Sequence, residues 1–150
     1  MSKQTAKKRK RVNTKPQGRK NSAVTDVAKL LNKAVKLHRN GDTGSAQDIY
    51  RKILKHQPEN FDALQLLGAI ELSRGRNRQA LDLISRALAK QPNLPALHCN
   101  VGIALMRLHK NLEAVESLQK ALELDPKFSL AHFYQGKIFF FYDVKFLTTT

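Results

Sequence analysis

Tryptophan is absent from this 150-residue chain, cysteine occurs once, and no acidic residue precedes Asp26. The lone Cys99 excludes an intramolecular disulfide, and nothing in the sequence requires an oxidising compartment, which points to the inside of a cell. The N-terminus is positive but no apolar stretch follows it, so no ordinary secretory signal is expected. The longest apolar run, Ile138 to Tyr142, is far short of the roughly 20 residues that a membrane-spanning helix needs. A Gly-rich phosphate loop, a nucleophile elbow and a metal-binding helix motif are all missing. The chain is therefore read as non-enzymatic, with no cofactor, no metal site and no membrane insertion.

What is present is positive charge, unevenly placed. The formal charge of +15 comes from 27 Lys/Arg against 12 Asp/Glu. Nine of the basic residues lie in residues 1–22, leaving 18 basic against 12 acidic side chains in the remainder. Residues 1–23 are Lys, Arg, Gln, Asn, Ser and Thr with few apolar side chains, so burial cannot offset the entropy of ordering them, and a disordered basic tail is expected there. At 41% hydrophobic content, the rest can bury one modest core.

From about Val24 the pattern becomes periodic. Pro58, Pro92 and Pro126 are 34 residues apart, and the same period links Ala46, Ala80 and Ala114; Leu54, Leu88 and Leu122; and Ala34, Gly68, Gly102 and Gly136. Four columns on one period mark an internal repeat. The units run 27–60, 61–94 and 95–128, with a partial unit at 129–142 and an extension at 143–150. Each complete unit carries two apolar patterns of helical spacing. In the second, helix A is expected from Phe61 to Arg74 and ends at Gly75, which tolerates left-handed angles. Asn77 would cap helix B, whose Ala80, Leu81, Ile84, Ala87 and Leu88 recur at helical spacing until Pro92. Close approach of the two helices needs a small side chain facing a larger one, and Gly68 with Ala80, then Gly102 with Ala114, are expected to make it. A hairpin of this kind leaves one apolar face bare and must stack on the next.

These columns, Leu64, Leu67-Gly68, Glu71, Ala80, Ile84, Ala87 and Pro92, then His98, Val101-Gly102, Leu105, Ala114, Leu118, Ala121 and Pro126, resemble the tetratricopeptide repeat family. Glu71 stands where a large apolar residue is usual, and Lys33-Ala34 replaces Leu-Gly in the first unit. The phrases FDALQLLGAI and LHCNVGIAL are similar to repeats that precede glycosyltransferase or sulfotransferase domains in larger proteins. The resemblance implies an all-α fold: a right-handed superhelical stack of antiparallel helical hairpins with about three and a half repeats. It further implies that the A helices line a concave groove for an extended peptide or partner helix. Counting by the repeat, the inward columns are Asn32, Leu66 (beside Gln65), Asn100 and Tyr134; Val35, Ala69, Ile103 and Lys137; and Arg39, Ser73, Arg107 and Phe141. A side-chain amide can bond both the donor and the acceptor of a peptide backbone, so Asn32 and Asn100 would hold a chain without reading its sequence; the alternative is an Asn bonded to its own helix or to water. Arg39 and Arg107 would attract a carboxylate or remain solvated. The two-carboxylate clamp of some family members is not expected, because Leu31, Val35 and Leu66 occupy its columns.

His98 and Cys99 are neighbours, but adjacent helix positions diverge by about 100°, and no further ligands complete a metal set. His98 and His132 share a packing column, so a packing role is expected. Lys7-Lys8-Arg9-Lys10-Arg11 clusters cations that release counterions on binding phosphate and resembles a nuclear-import signal. With no interleaved aromatic, sequence-specific nucleic-acid recognition is not expected of it. Phe139, Phe140 and Phe141 lie on a fourth helix A with no helix B after it, an apolar face suited to self-association or a partner.

The sequence thus predicts a cytoplasmic protein-binding scaffold, nuclear if the cell is eukaryotic. Two alternatives remain at this point: a nucleic-acid-associated adaptor acting through the tail, and a truncated repeat portion of a glycosyltransferase- or sulfotransferase-like protein.

Overall fold

The computed structural model describes the backbone of residues 18–147 and the side chains of residues 26–140. Within them the chain forms seven helices: α1 (Gly18–Arg39), α2 (Thr43–His56), α3 (Phe61–Ser73), α4 (Asn77–Lys90), α5 (Pro95–Arg107), α6 (Asn111–Leu124) and α7 (Ser129–Leu147). No strand occurs among the described residues. Each helix packs against its neighbours in the chain, and α5 also touches α3 and α7, so the architecture is an all-α stack of antiparallel hairpins.

Both ends are more helical than composition implied. α1 begins at Gly18, inside the stretch 1–23 assigned to a disordered tail, and α7 runs past residue 142 to Leu147. Low apolar content excludes burial but not helix carried on from a packed segment, and Arg19, Lys20 and Ala23 are good helix formers. Lys7 to Arg11 lie outside the described residues.

The turns repeat as faithfully as the helices. Gly41, Gly75 and His109, spaced by the repeat, all have left-handed backbone angles, at φ 86°, 75° and 62°. Around them, the N–H groups of Asp42, Arg76 and Lys110 donate to the carbonyls of Leu37, Glu71 and Leu105 at 3.0, 2.9 and 3.0 Å. This closure satisfies carbonyls that the ending helix leaves without partners. Asp42 caps α2 by accepting from the Ser45 N–H at 3.0 Å, and Asn60 caps α3 by accepting from Ala63 N–H at 3.0 Å. Asn77 does not cap α4: the cap position is Arg76, and Asn77 is already the first helical residue.

The small-residue columns work as expected in kind, but with a different partner. A Cβ on Gly68 would stand 2.6 Å from Ile84 Cγ1, and one on Gly102 would stand 2.7 Å from Leu118 Cγ and 3.1 Å from the Ala114 carbonyl oxygen. The glycine therefore receives the large residue four positions beyond the alanine, one helical turn along the same face. Ala80 and Ala114 are themselves fully buried. Two apolar clusters result: one around Tyr50, Ile53, Leu67 and Ile70, the other around Leu64, Ile84, Leu97, Leu118 and Ile138.

Candidate functional site

The first helices α3, α5 and α7 form a row, with the second helices α4 and α6 behind them. Asn32 on α1 is exposed and Asn100 on α5 half-buried, and neither amide makes a hydrogen bond to another described residue. Val35, Gln65, Leu66 and Ala69 are half-buried, and Lys137 is exposed. Tyr134 is half-buried and meets Phe133 edge-to-face with ring centroids 5.2 Å apart. Ile103 departs from the expectation: it belongs to the buried core and cannot offer surface to a ligand. Val35 and Ala69, in the same column, stay half-buried.

The two arginines of the groove differ. Arg39 is exposed. Arg107 Nη1 donates to the Leu72 carbonyl at 2.6 Å, so its guanidinium closes the end of α3 while keeping other N–H groups outward. At the far end Phe139 and Phe140 are 52% and 68% exposed, and Phe133 is 61% exposed, whereas Ile138 between them is buried. The Phe141 side chain lies outside the described residues. Gly136, which continues the Gly68 and Gly102 column, has nothing within 4 Å of a Cβ built on it.

His98 and His132 do not pack as buried groups. Each donates from Nε2 to a proline carbonyl in the preceding inter-repeat turn, Pro92 at 2.7 Å and Pro126 at 2.9 Å. A carbonyl can only accept, so Nε2 carries the proton. At the first junction the Pro58 carbonyl is served by Arg86 at 2.6 Å. Each turn thus has its orphan acceptor satisfied, by whichever side chain the local sequence provides. Cys99 is fully buried, and burial pushes its thiol up to about 11, which removes the thiolate that nucleophilic chemistry would need. No cluster of three His, Cys, Asp or Glu side chains suited to a metal exists among the described residues.

The departure at Glu71 has a structural answer. It is 2% exposed and accepts hydrogen bonds from Gln47 Nε2, from Arg76 Nε and, at 3.1 Å, from Arg51 Nη2. Arg74 in turn bonds Gln47 Oε1 and, at 3.0 Å, Thr43 Oγ1. Burial alone would raise the Glu71 carboxyl. The hydrogen bonds from Arg76 and Gln47 and the charges of Arg76 and Arg51 outweigh it and hold the group below its ordinary value. A polar network therefore clamps α2 to α3 where other repeats use an apolar contact.

Open clefts lie beside α4 and the turn between α5 and α6. One of about 500 Å3 is lined by Arg78, Leu81, Asp82, Ser85, Leu108 and Lys110. A second, of about 420 Å3, shares Arg78 and Leu108 and adds Arg76 and Asn77. The sequence reading missed this surface.

Two models described as tetratricopeptide repeat match the chain, one over residues 37–98 and one over 95–128. The Arabidopsis thaliana protein CTR9 homolog is 30% identical over 87 residues, covering 57% of this chain and 8% of the relative. A solved structure of Thermobaculum terrenum O-GlcNAc transferase superposes with a TM-score of 0.66 at 29% identity, over 77% of this chain and 22% of that one. The MamA structure from Desulfovibrio magneticus RS-1 gives a TM-score of 0.74 at 26% identity, over 78% of this chain and 66% of that one. The chain thus spans under a tenth of the curated relative and about a fifth of the transferase.

Proposed function

The chain belongs to the tetratricopeptide repeat family, and on that premise we propose that it is a non-catalytic scaffold whose concave face of first helices holds an extended peptide or a partner helix. The observation that carries this reading is the pair Asn32 and Asn100: two amides of one repeat column with no hydrogen bond spent on another described residue. Such amides are suited to gripping the N–H and C=O groups of a peptide backbone. Arg39, with Arg107 behind it, adds attraction for a carboxylate. Lys7 to Arg11 would speed encounter with an acidic partner or with nucleic acid, and would serve import in a nucleated cell. The exposed phenyl groups of α7 supply a second contact surface, for another copy of the chain. Similarity to the repeats of an O-GlcNAc transferase keeps open a role as the recognition portion of a larger protein.

The test is selection of a peptide from a random library on the full chain, followed by calorimetry with Asn32→Ala and Asn100→Ala together. A loss of about tenfold or more in affinity supports the groove, since each amide hydrogen bond contributes on the order of 1 kcal/mol. Unchanged affinity for every selected peptide removes it.

A further inference from the structure

Six of the 18 basic residues in 23–150 lie on one edge of the stack. The repeated left-handed turns align three helix ends, and these carry Arg74, Arg76, Arg78 and Lys110, all exposed, beside the groove residues Arg39 and Arg107. Among these turns Asp42 is occupied as a cap, and Glu71 is buried and paired with Arg76 and with Arg51 of α2. The other edge is mixed: Glu59 pairs with Arg86 and Lys90, and Glu123 with Lys120.

Several of the edge cations are already committed. Arg74, Arg76 and Arg107 bond Gln47, Glu71 and the Leu72 carbonyl. Lys110 makes an exposed pair with Glu113 at 3.2 Å, of the kind that contributes little. Arg78 has no hydrogen bond or ion pair with another described residue, yet it lines both clefts at this edge and a third between α2 and α4. The floor beside it is apolar, formed by Leu81 and Leu108. Asn77, whose buried Oδ1 lacks a partner, lines the second cleft. Asp82, the acidic residue on the wall, is paired with Arg86 at 3.6 Å.

We propose that this edge is a second binding surface, separate from the groove, for an acidic peptide segment carrying an apolar side chain. Carboxylates would accept from Arg78 and Lys110, and the apolar side chain would lie on Leu81 and Leu108. Charge complementarity selects an anionic ligand, and the apolar floor selects among anions. A phosphate backbone would leave Leu81 and Leu108 unused, and no Phe, Tyr or Trp lines the clefts to stack a base.

The experiment uses the full chain with Lys7 to Arg11 all changed to Gln, so that tail attraction is removed. Fluorescence anisotropy follows a labelled peptide of repeated Glu-Glu-Leu units, its Glu-Glu-Ser counterpart and a single-stranded oligothymidylate. The Glu-Glu-Leu peptide is expected to bind most tightly. Arg78→Ala with Lys110→Ala should weaken it about tenfold, as should Arg78→Glu alone. Asn32→Ala with Asn100→Ala should leave it unchanged, which separates this surface from the groove. The proposal is overturned if the Glu-Glu-Leu peptide does not bind, if the Arg78 and Lys110 variants bind it as before, or if the Ser peptide or the oligothymidylate binds equally well. Because the substituted side chains are exposed, unaltered thermal melts are expected to accompany the lost affinity.

Discussion

Arg107 at the end of α5 donates to the Leu72 carbonyl at the end of α3, a 2.6 Å bond that joins one repeat to the one before it. The bond satisfies a carbonyl that α3 leaves open and does so with a charged donor. Arg107→Ala should therefore cost about 1 kcal/mol in urea unfolding, at the low end for a charged hydrogen bond because the guanidinium is partly in water. A purely ligand-binding arginine would leave stability untouched, so the same variant decides whether the residue is structural.

Three glycines of one column should respond differently to the same change. Gly68→Ala and Gly102→Ala each drive a methyl into a large side chain of the facing helix, at 2.6 and 2.7 Å, and should destabilise by about 1–3 kcal/mol. Gly136→Ala meets open space in a helix interior and should stabilise by about 0.5–1 kcal/mol. Thermal melts of the three variants check this directly, and a costly Gly136→Ala would mean that something covers α7.

The contrast shows what was legible in the sequence. The 34-residue period gave the helices, the hairpins and the close approach at Gly68 and Gly102, because these depend on residue type at fixed spacing. It did not give the facing residue, since Ala80 and Ile84 share one helical face and only the inter-helix offset selects between them. Asn77 failed as a cap for a related reason: the closure that follows the left-handed Gly75 places the cap on Arg76. The groove columns were countable from the repeat, but the burial of Ile103 depends on how the next helix lies across it. The basic edge was hidden because its residues sit in turns, where a helical pattern carries no information.

His109 occupies the left-handed position that Gly41 and Gly75 fill in the other turns. A side chain there costs about 1 kcal/mol, so His109→Gly should raise stability by about 0.5–1 kcal/mol after the added freedom of the unfolded chain is counted. Equilibrium denaturation with an unchanged slope would establish that only stability moved.

Glu71 predicts an acid-labile component. Its folded carboxyl is held below the ordinary value of 4.5, so as pH falls the unfolded chain takes up the proton first. The stability gained from the network is complete above the ordinary value and is lost as pH falls through the lower, folded value. Glu71→Gln should remove this acid limb. Glu71→Ala should cost about 2 kcal/mol at neutral pH, less than for a fully buried pair because Arg51 and Arg76 are half in water. Glu71→Leu, which restores the usual apolar contact, should stay within about 1 kcal/mol of the parent. Denaturation midpoints across the acid range distinguish the three.

The α7 end bears on assembly. Phe133, Phe139 and Phe140 present phenyl groups on a helix whose Gly136 notch, filled by Ile84 or Leu118 in the equivalent places, is open. Fully covering a phenyl side chain is worth about 1.5–3 kcal/mol, so a few such contacts between two copies offset much of the entropy of association. Stacking of α7 on the α1 end of another copy is opposed by Lys29, Lys33 and Lys36, which are exposed there, so an α7-to-α7 pairing is expected. Light scattering should give a mass above that of the monomer for the full chain, and the monomer mass for Phe133→Ser with Phe140→Ser. The association should persist at high salt, because burial of apolar surface rather than charge drives it. An association that salt abolishes and the double variant retains would instead trace to the basic tail.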